Sequence, residues 1–76
     1  MKTVQVRIAS IQDVRDFVNI VTKYNTDVDL ISGRYIVDAK SIMGIFSLDL
    51  LNPITLSAHS DDCDQLFADL ERFIVK

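Results

Sequence analysis

Tryptophan is absent from this 76-residue chain, and cysteine, proline and histidine occur once each, as Cys63, Pro53 and His59. A lone cysteine rules out an internal disulfide and fits a reducing compartment; Cys63 reads as a semi-buried helix residue, the usual fate of a free thiol. Paired cysteines, a metal-ligand spacing, a glycine-rich phosphate loop and a nucleophilic triad are all missing, so enzyme activity, a bound metal and a cofactor are not expected. No apolar run approaches the roughly 20 residues that cross a bilayer, and Met1-Lys2-Thr3-Val4 leads into alternation rather than a signal-peptide block. The expected compartment is the cytoplasm, with no membrane partner. Positive charge is not in excess: 11 acidic residues against 8 basic ones give −3, which argues against nucleic acid. With no repeat, linker or low-complexity run, residues 1–76 are expected to form a single small domain whose site lies on its surface.

What is present is periodicity. Val4, Val6 and Ile8 alternate with Gln5 and Arg7, which predicts a strand over 3–9. Ser10 and Asp13 have capping-box spacing, with Asp in place of Glu, and Val14, Phe17, Val18 and Val21 recur at helical intervals, predicting a helix over 11–24. Val28 and Leu30, the turn at Ser32-Gly33 and the β-prone Tyr35-Ile36-Val37 read as a hairpin. A short helix capped by Ser41 runs to about Leu48, and Gly44 inside it implies a packing reason for a residue that costs up to ~1 kcal/mol there. After Asn52-Pro53, Ile54, Leu56 and Ala58 alternate as a fourth strand. Ser60-Asp61-Asp62 then caps a last helix carrying Leu66, Phe67, Leu70, Phe73 and Ile74. The order β-α-β-β-α-β-α predicts an α+β open-faced sandwich, a four-stranded mostly antiparallel sheet covered on one face by three helices.

The run Val37-Asp38-Ala39-Lys40-Ser41-Ile42-Met43-Gly44-Ile45-Phe46-Ser47-Leu48 closely resembles the regulatory-serine segment of HPr, the histidine-containing phosphocarrier family of the bacterial sugar phosphotransferase system. Thr22-Lys23-Tyr24 and Asp27-Val28 echo the end of that family's first helix, and the order of elements is the same. The resemblance is strongest from Val37 to Leu48 and reduces to patterning from Asp49 to Lys76. It fails at the family's Gly-(Ile/Leu)-His-Ala-Arg-Pro-Ala turn, where this chain reads Ala9-Ser10-Ile11-Gln12-Asp13-Val14-Arg15-Asp16. Matching Ile11-Gln12 to the family's Ile-His puts Gln12 at the phosphocarrier position; counting back from Tyr24 without a gap puts Ser10 there. Neither is an imidazole, and Asp13 and Asp16 favour the helix dipole while repelling phosphate. Arg15 either corresponds to the arginine of the turn or is a solvated helix residue. Gln12 with Ser41 is similar to the catabolite-repression paralogues of HPr, although their Ala-Arg-Pro-Ala is missing.

At the predicted helix start Ser41 can accept a hydrogen bond from the first turn, worth about 0.5–2 kcal/mol. The resemblance adds a regulatory phosphorylation there by a serine kinase, after which relatives bind a LacI-type catabolite regulator. Ile42, Met43 and Phe46 fall on one side of the short helix; the competing reading, core packing, claims Ile45 and Leu48 and one of these three. In the family the counterparts dock phosphotransferase-system enzymes and regulators, with Lys40 at the rim. The resulting expectation is a histidine-less, HPr-like regulatory protein that binds other proteins under control of Ser41 phosphorylation. The alternatives are an interaction or oligomerisation module, including a homodimer that buries the apolar face, and a true phosphocarrier acting through another nucleophile such as His59. His59 otherwise reads as an ordinary exposed residue near a helix cap.

Overall fold

The computed structural model describes residues 2–60 and 62–75. Its elements are β1 (Lys2–Val6), α1 (Ile11–Val21), β2 (Val28–Ser32), β3 (Tyr35–Asp38), α2 (Ile42–Phe46), β4 (Ile54–Ala58), α3 (Asp64–Asp69) and a 3-10 turn (Glu71–Phe73). The strands pair in the order β1-β4-β2-β3, each antiparallel to its neighbour. The predicted order and open-faced α+β architecture are those observed.

Alternation in the sequence becomes rows across the sheet. Val4 pairs with Leu56, Leu56 with Leu30 and Leu30 with Val37, so one row of apolar side chains crosses all four strands on one face. The next row, Gln5, Thr55, Ile31 and Ile36, lies on the other face. Only the first face is covered. Val6, Val28, Leu30, Ile54, Leu56 and Ala58 join one buried cluster with Val14, Phe17, Val18 and Val21 of α1, Ile45 and Leu48 at α2, and Leu66, Leu70 and Phe73 near the C-terminus. Phe17 and Phe73 meet edge to face at 5.6 Å, locking α1 to the C-terminal segment.

Element ends depart from the sequence reading for local reasons. Strand β1 stops at Val6, because beyond it Arg7 N–H donates to Phe73 C=O rather than to a strand; Ile8 stays fully buried. Helix α1 ends at Val21 and tightens through i→i+3 bonds from Lys23 and Tyr24. Ser47 and Leu48 close α2 in the same way. The last helix is shorter than its apolar stripe: α3 gives way to the 3-10 turn, and Ile74 bridges Val6. Its predicted cap is not used. Cys63, buried, occupies the cap position with no side-chain bond, Ser60 Oγ instead accepts from Asp62 N–H, and Asp61 lies outside the described residues.

Two glycines carry distinct duties. Gly33 takes φ +60 in the β2–β3 turn, a conformation L side chains avoid. At Gly44 a Cβ would lie 3.2 Å from Ser41 Oγ and 3.3 Å from Val37 Cβ, so its bare backbone lets α2 settle on β3. That is the packing reason its position implied.

Leu30→Ala, which empties the middle of the apolar row, is expected to cost about 2–5 kcal/mol, and Ser10→Ala, which removes the α1 cap, about 1 kcal/mol. Urea unfolding followed by circular dichroism measures both; equal losses would contradict the assignment of Leu30 to the core.

Candidate functional site

The turn from β3 into α2 is built by short local bonds. Asp38 Oδ1 accepts from Lys40 N–H at 2.8 Å and Asp38 C=O from Ser41 N–H at 3.0 Å. Ser41, with extended backbone, turns its Oγ to accept from Gly44 N–H at 3.1 Å. The hydroxyl is half-buried and serves as the α2 cap.

Beyond that cap Ile45 and Leu48 turn inward. Ile42, Met43 and Phe46 keep 39%, 79% and 42% of their surface in contact with solvent, so none of the three belongs to the core. Lys40 is used differently from a free rim cation: its Nζ donates to Tyr24 C=O at 2.8 Å, tying the start of α2 to the end of α1. Tyr24 in turn donates its hydroxyl to Asp69, which also accepts from Gln65 Nε2 at 3.1 Å. This Lys40–Tyr24–Asp69 chain links three helices, and nothing in the spacing of its members announces it.

At the start of α1, Ser10 Oγ accepts from Asp13 N–H at 3.1 Å, and Asp13 Oδ2 accepts from Ala9 N–H at 3.1 Å, one residue before the usual capping-box donor. Gln12 is exposed, and its amide donates to Asp16 Oδ1 at 2.9 Å. Sequence reasoning missed Arg72, whose guanidinium lies 2.8 Å from Asp16 and 3.8 Å from Asp13 and stacks 4.3 Å from the Phe73 ring centre. The two carboxylates are therefore partly neutralised from the far end of the chain. Ile11, 63% exposed, is a further apolar residue missed at this end; its signal was an apolar position off the Val14–Phe17–Val18–Val21 stripe. Arg15 is exposed.

His59 stands apart from this region. It follows Ala58 at one end of β4, whereas α1 begins beyond Val6, which pairs with Ile54 at the other end. Its Nε2 lies 2.8 Å from Asp29 Oδ2, and its N–H donates to Asp27 C=O. Strand register thus separates the imidazole from the start of α1, whereas the β3–α2 turn leaves the sheet at the same end as His59, with Asp38 opposite the Asp29 that His59 contacts.

The model of the family described as the PTS HPr component phosphorylation site matches residues 5–76. The chain belongs to this family. It is an HPr-type, phosphocarrier-like protein of the phosphotransferase system, a family whose proteins interact with other components of that system. Among solved structures it is similar to HPr-C-His from Thermoanaerobacter tengcongensis, at 30% identity over 95% of this chain and 89% of that one, with a TM-score of 0.81. It is also similar to HPr from Bacillus anthracis str. Ames, at 26% identity, 97% and 94% coverage and a TM-score of 0.72. A third is the catabolite repression protein CRH of Bacillus subtilis, at 26% identity, 93% and 88% coverage and a TM-score of 0.66, described as a dimer with a swapped domain. No curated protein matches the chain. Among the described residues no helix is long and apolar enough to cross a membrane.

The hydrogen bond to Asp69, then burial and the charge of that carboxylate, hold the Tyr24 phenol above its ordinary value near 10. A phenol raised in the folded state stabilises it below the unfolded value, and that contribution is lost as pH rises through the folded value. Asp69→Asn is expected to bring Tyr24 ionisation to lower pH, read by alkaline absorbance titration; an unchanged titration would show that Asp69 does not hold the phenol.

Proposed function

We propose that this HPr-family chain is a regulatory binding protein of the sugar phosphotransferase system, controlled by phosphorylation at Ser41, and that it carries no phosphoryl group on histidine. One observation carries the reading: Ile42, Met43 and Phe46 stand exposed on the turn that Ser41 caps. Apolar side chains of this size on so small a domain suit a protein partner, and an unbranched Met beside an aromatic ring adapts to more than one. A phosphate on Ser41 Oγ adds between about 1.5 and 2 negative charges next to that surface at neutral pH. It changes what the surface attracts far more than how the chain folds. The partners this implies are a serine kinase, a LacI-type catabolite regulator and phosphotransferase-system enzymes, met in the cytoplasm.

The start of α1 supports the negative half of the proposal. Phosphoryl relay needs a nitrogen nucleophile there, and both positions that align with it, Ser10 and Gln12, already have their side chains committed to capping and to Asp16. Asp13 puts a carboxylate in the first turn of α1, where it would repel an incoming phosphate. His59, at the opposite end of β4, cannot share the α1 amides. The chain thus has no catalytic part of its own and acts as a modified and bound protein.

The swapped dimer of CRH favours a second reading, an oligomerisation module in which Met43 and Phe46 meet a second copy. Sedimentation of the wild type beside Met43→Ala and Phe46→Ala separates the two, since only a dimer closed over that turn is weakened by those changes and leaves nothing there for other partners.

Incubation with the first enzyme of the system and phosphoenolpyruvate is expected to leave the chain free of acid-labile phosphate; its appearance overturns the non-carrier reading. An HPr-type serine kinase with ATP is expected to label the wild type and not Ser41→Ala. Equal absence of label in both removes the regulatory half. Met43→Ala and Phe46→Ala are each expected to leave the unfolding midpoint nearly unchanged while weakening binding to the first enzyme by about tenfold, as measured by calorimetry.

A further inference from the structure

The sheet has one covered edge and one open edge. On the β1 side the C-terminal segment runs alongside: Val6 bridges Ile74, Arg7 N–H donates to Phe73 C=O, and Val75 N–H donates to Gln5 C=O at 2.9 Å. On the β3 side no backbone segment among the described residues pairs with Tyr35–Asp38. Of the devices that blunt such an edge, β3 has its shortness, four residues, and the charge of Asp38, but neither lysine nor proline and no bulge in its register with β2. It carries Tyr35 and Ile36 instead, 68% and 65% exposed.

The direction of the free backbone groups follows from one bond. Ala39 N–H donates to Val28 C=O at 2.9 Å, which continues the β2–β3 ladder, so by alternation the groups of Tyr35 and Val37 also face β2. Those of Ile36 point outward, as does Asp38 N–H, while Asp38 C=O is already taken by Ser41 N–H.

We propose that two copies of this chain pair through β3, antiparallel about a two-fold axis at Ile36, joining the two sheets into one. In this register Ile36 exchanges two hydrogen bonds with its counterpart, and each Asp38 N–H meets the Arg34 C=O of the other copy. The outward groups of Ile36 and the Asp38 N–H, left over in one copy, are used by this register. Charge selects the same register: Tyr35 falls opposite Val37, and Arg34, the turn residue just before β3, comes next to Asp38 of the other copy at both ends of the pairing. Arg34 has no ion-pair partner among the described residues. Asp38 lies opposite Asp29 of β2, a like-charge pair that an arginine from the second copy offsets. Ile36 and Asp38 share the uncovered face of the sheet, where the Ile36 pair extends the row Gln5, Thr55, Ile31, Ile36 into the second copy. No element changes protomer, in contrast to the swapped dimer of CRH. The pairing is independent of the Ser41 reading.

One strand edge buries less than a standard interface, so association is concentration-dependent. Sedimentation equilibrium between about 10 µM and about 1 mM is expected to show a monomer–dimer equilibrium. Arg34→Asp and Asp38→Arg each set like charges opposite one another and are expected to weaken it at least about tenfold. An equimolar mixture of the two variants restores opposite charges at both positions and is expected to associate as the wild type does. In the wild type alone, exchange of the Ile36 amide is expected to slow with concentration. A wild type monomeric at the highest concentration, a dimer indifferent to both variants, a mixture that fails to regain association, or an Ile36 amide whose exchange ignores concentration would each overturn the proposal.

Discussion

Burial on one side of the sheet is the constraint from which the other features follow. Val4, Leu56, Leu30 and Val37 lie in one row, and the alternation of every strand must keep its apolar set on that side; a one-residue slip of β4 would send Ile54, Leu56 and Ala58 to solvent. The helices then have a single place to go. Because β1 and β4 are antiparallel, the start of α1 is brought to one end of β4 and His59 is left at the other. The functional geography of the molecule is in this sense a by-product of strand register.

The same constraint explains why the α2 turn is exposed. Short as it is, α2 can bury only one side, and Ile45 with Leu48 fills the space above the sheet. Gly44 brings the backbone close enough to Val37 that no second layer of side chains fits beneath. Ile42, Met43 and Phe46 are consequently turned outward by geometry. Lys40 and Tyr24 hold the turn in place from below, and Asp69 extends that support to α3. An exposed apolar surface that is rigidly supported loses little entropy when a partner arrives.

Much of this was legible in the residues. Val14, Phe17, Val18 and Val21 of α1 are all buried, Ser10 and Ser41 both cap, and Gly33 makes the predicted turn, because each depends on contacts within a few positions of the chain. The C-terminal stripe misled. Leu66, Leu70, Phe73 and Ile74 have helical spacing, yet a bridge to Val6 outweighs continued helix at Ile74, and periodicity carries no information about a strand edge waiting elsewhere. Arg72 on Asp13 and Asp16, and Tyr24 on Asp69, were invisible for the same reason: each joins residues far apart in the chain.

By itself the sequence determined the order of elements, the apolar faces and the caps of α1 and α2, since periodicity and residue type act locally. Tertiary structure alone decided which apolar side chains remain in solvent, which charges are neutralised, where His59 stands and which sheet edge is open. Those properties depend on what lies opposite each residue in space, and strand pairing brings together positions that no local pattern connects.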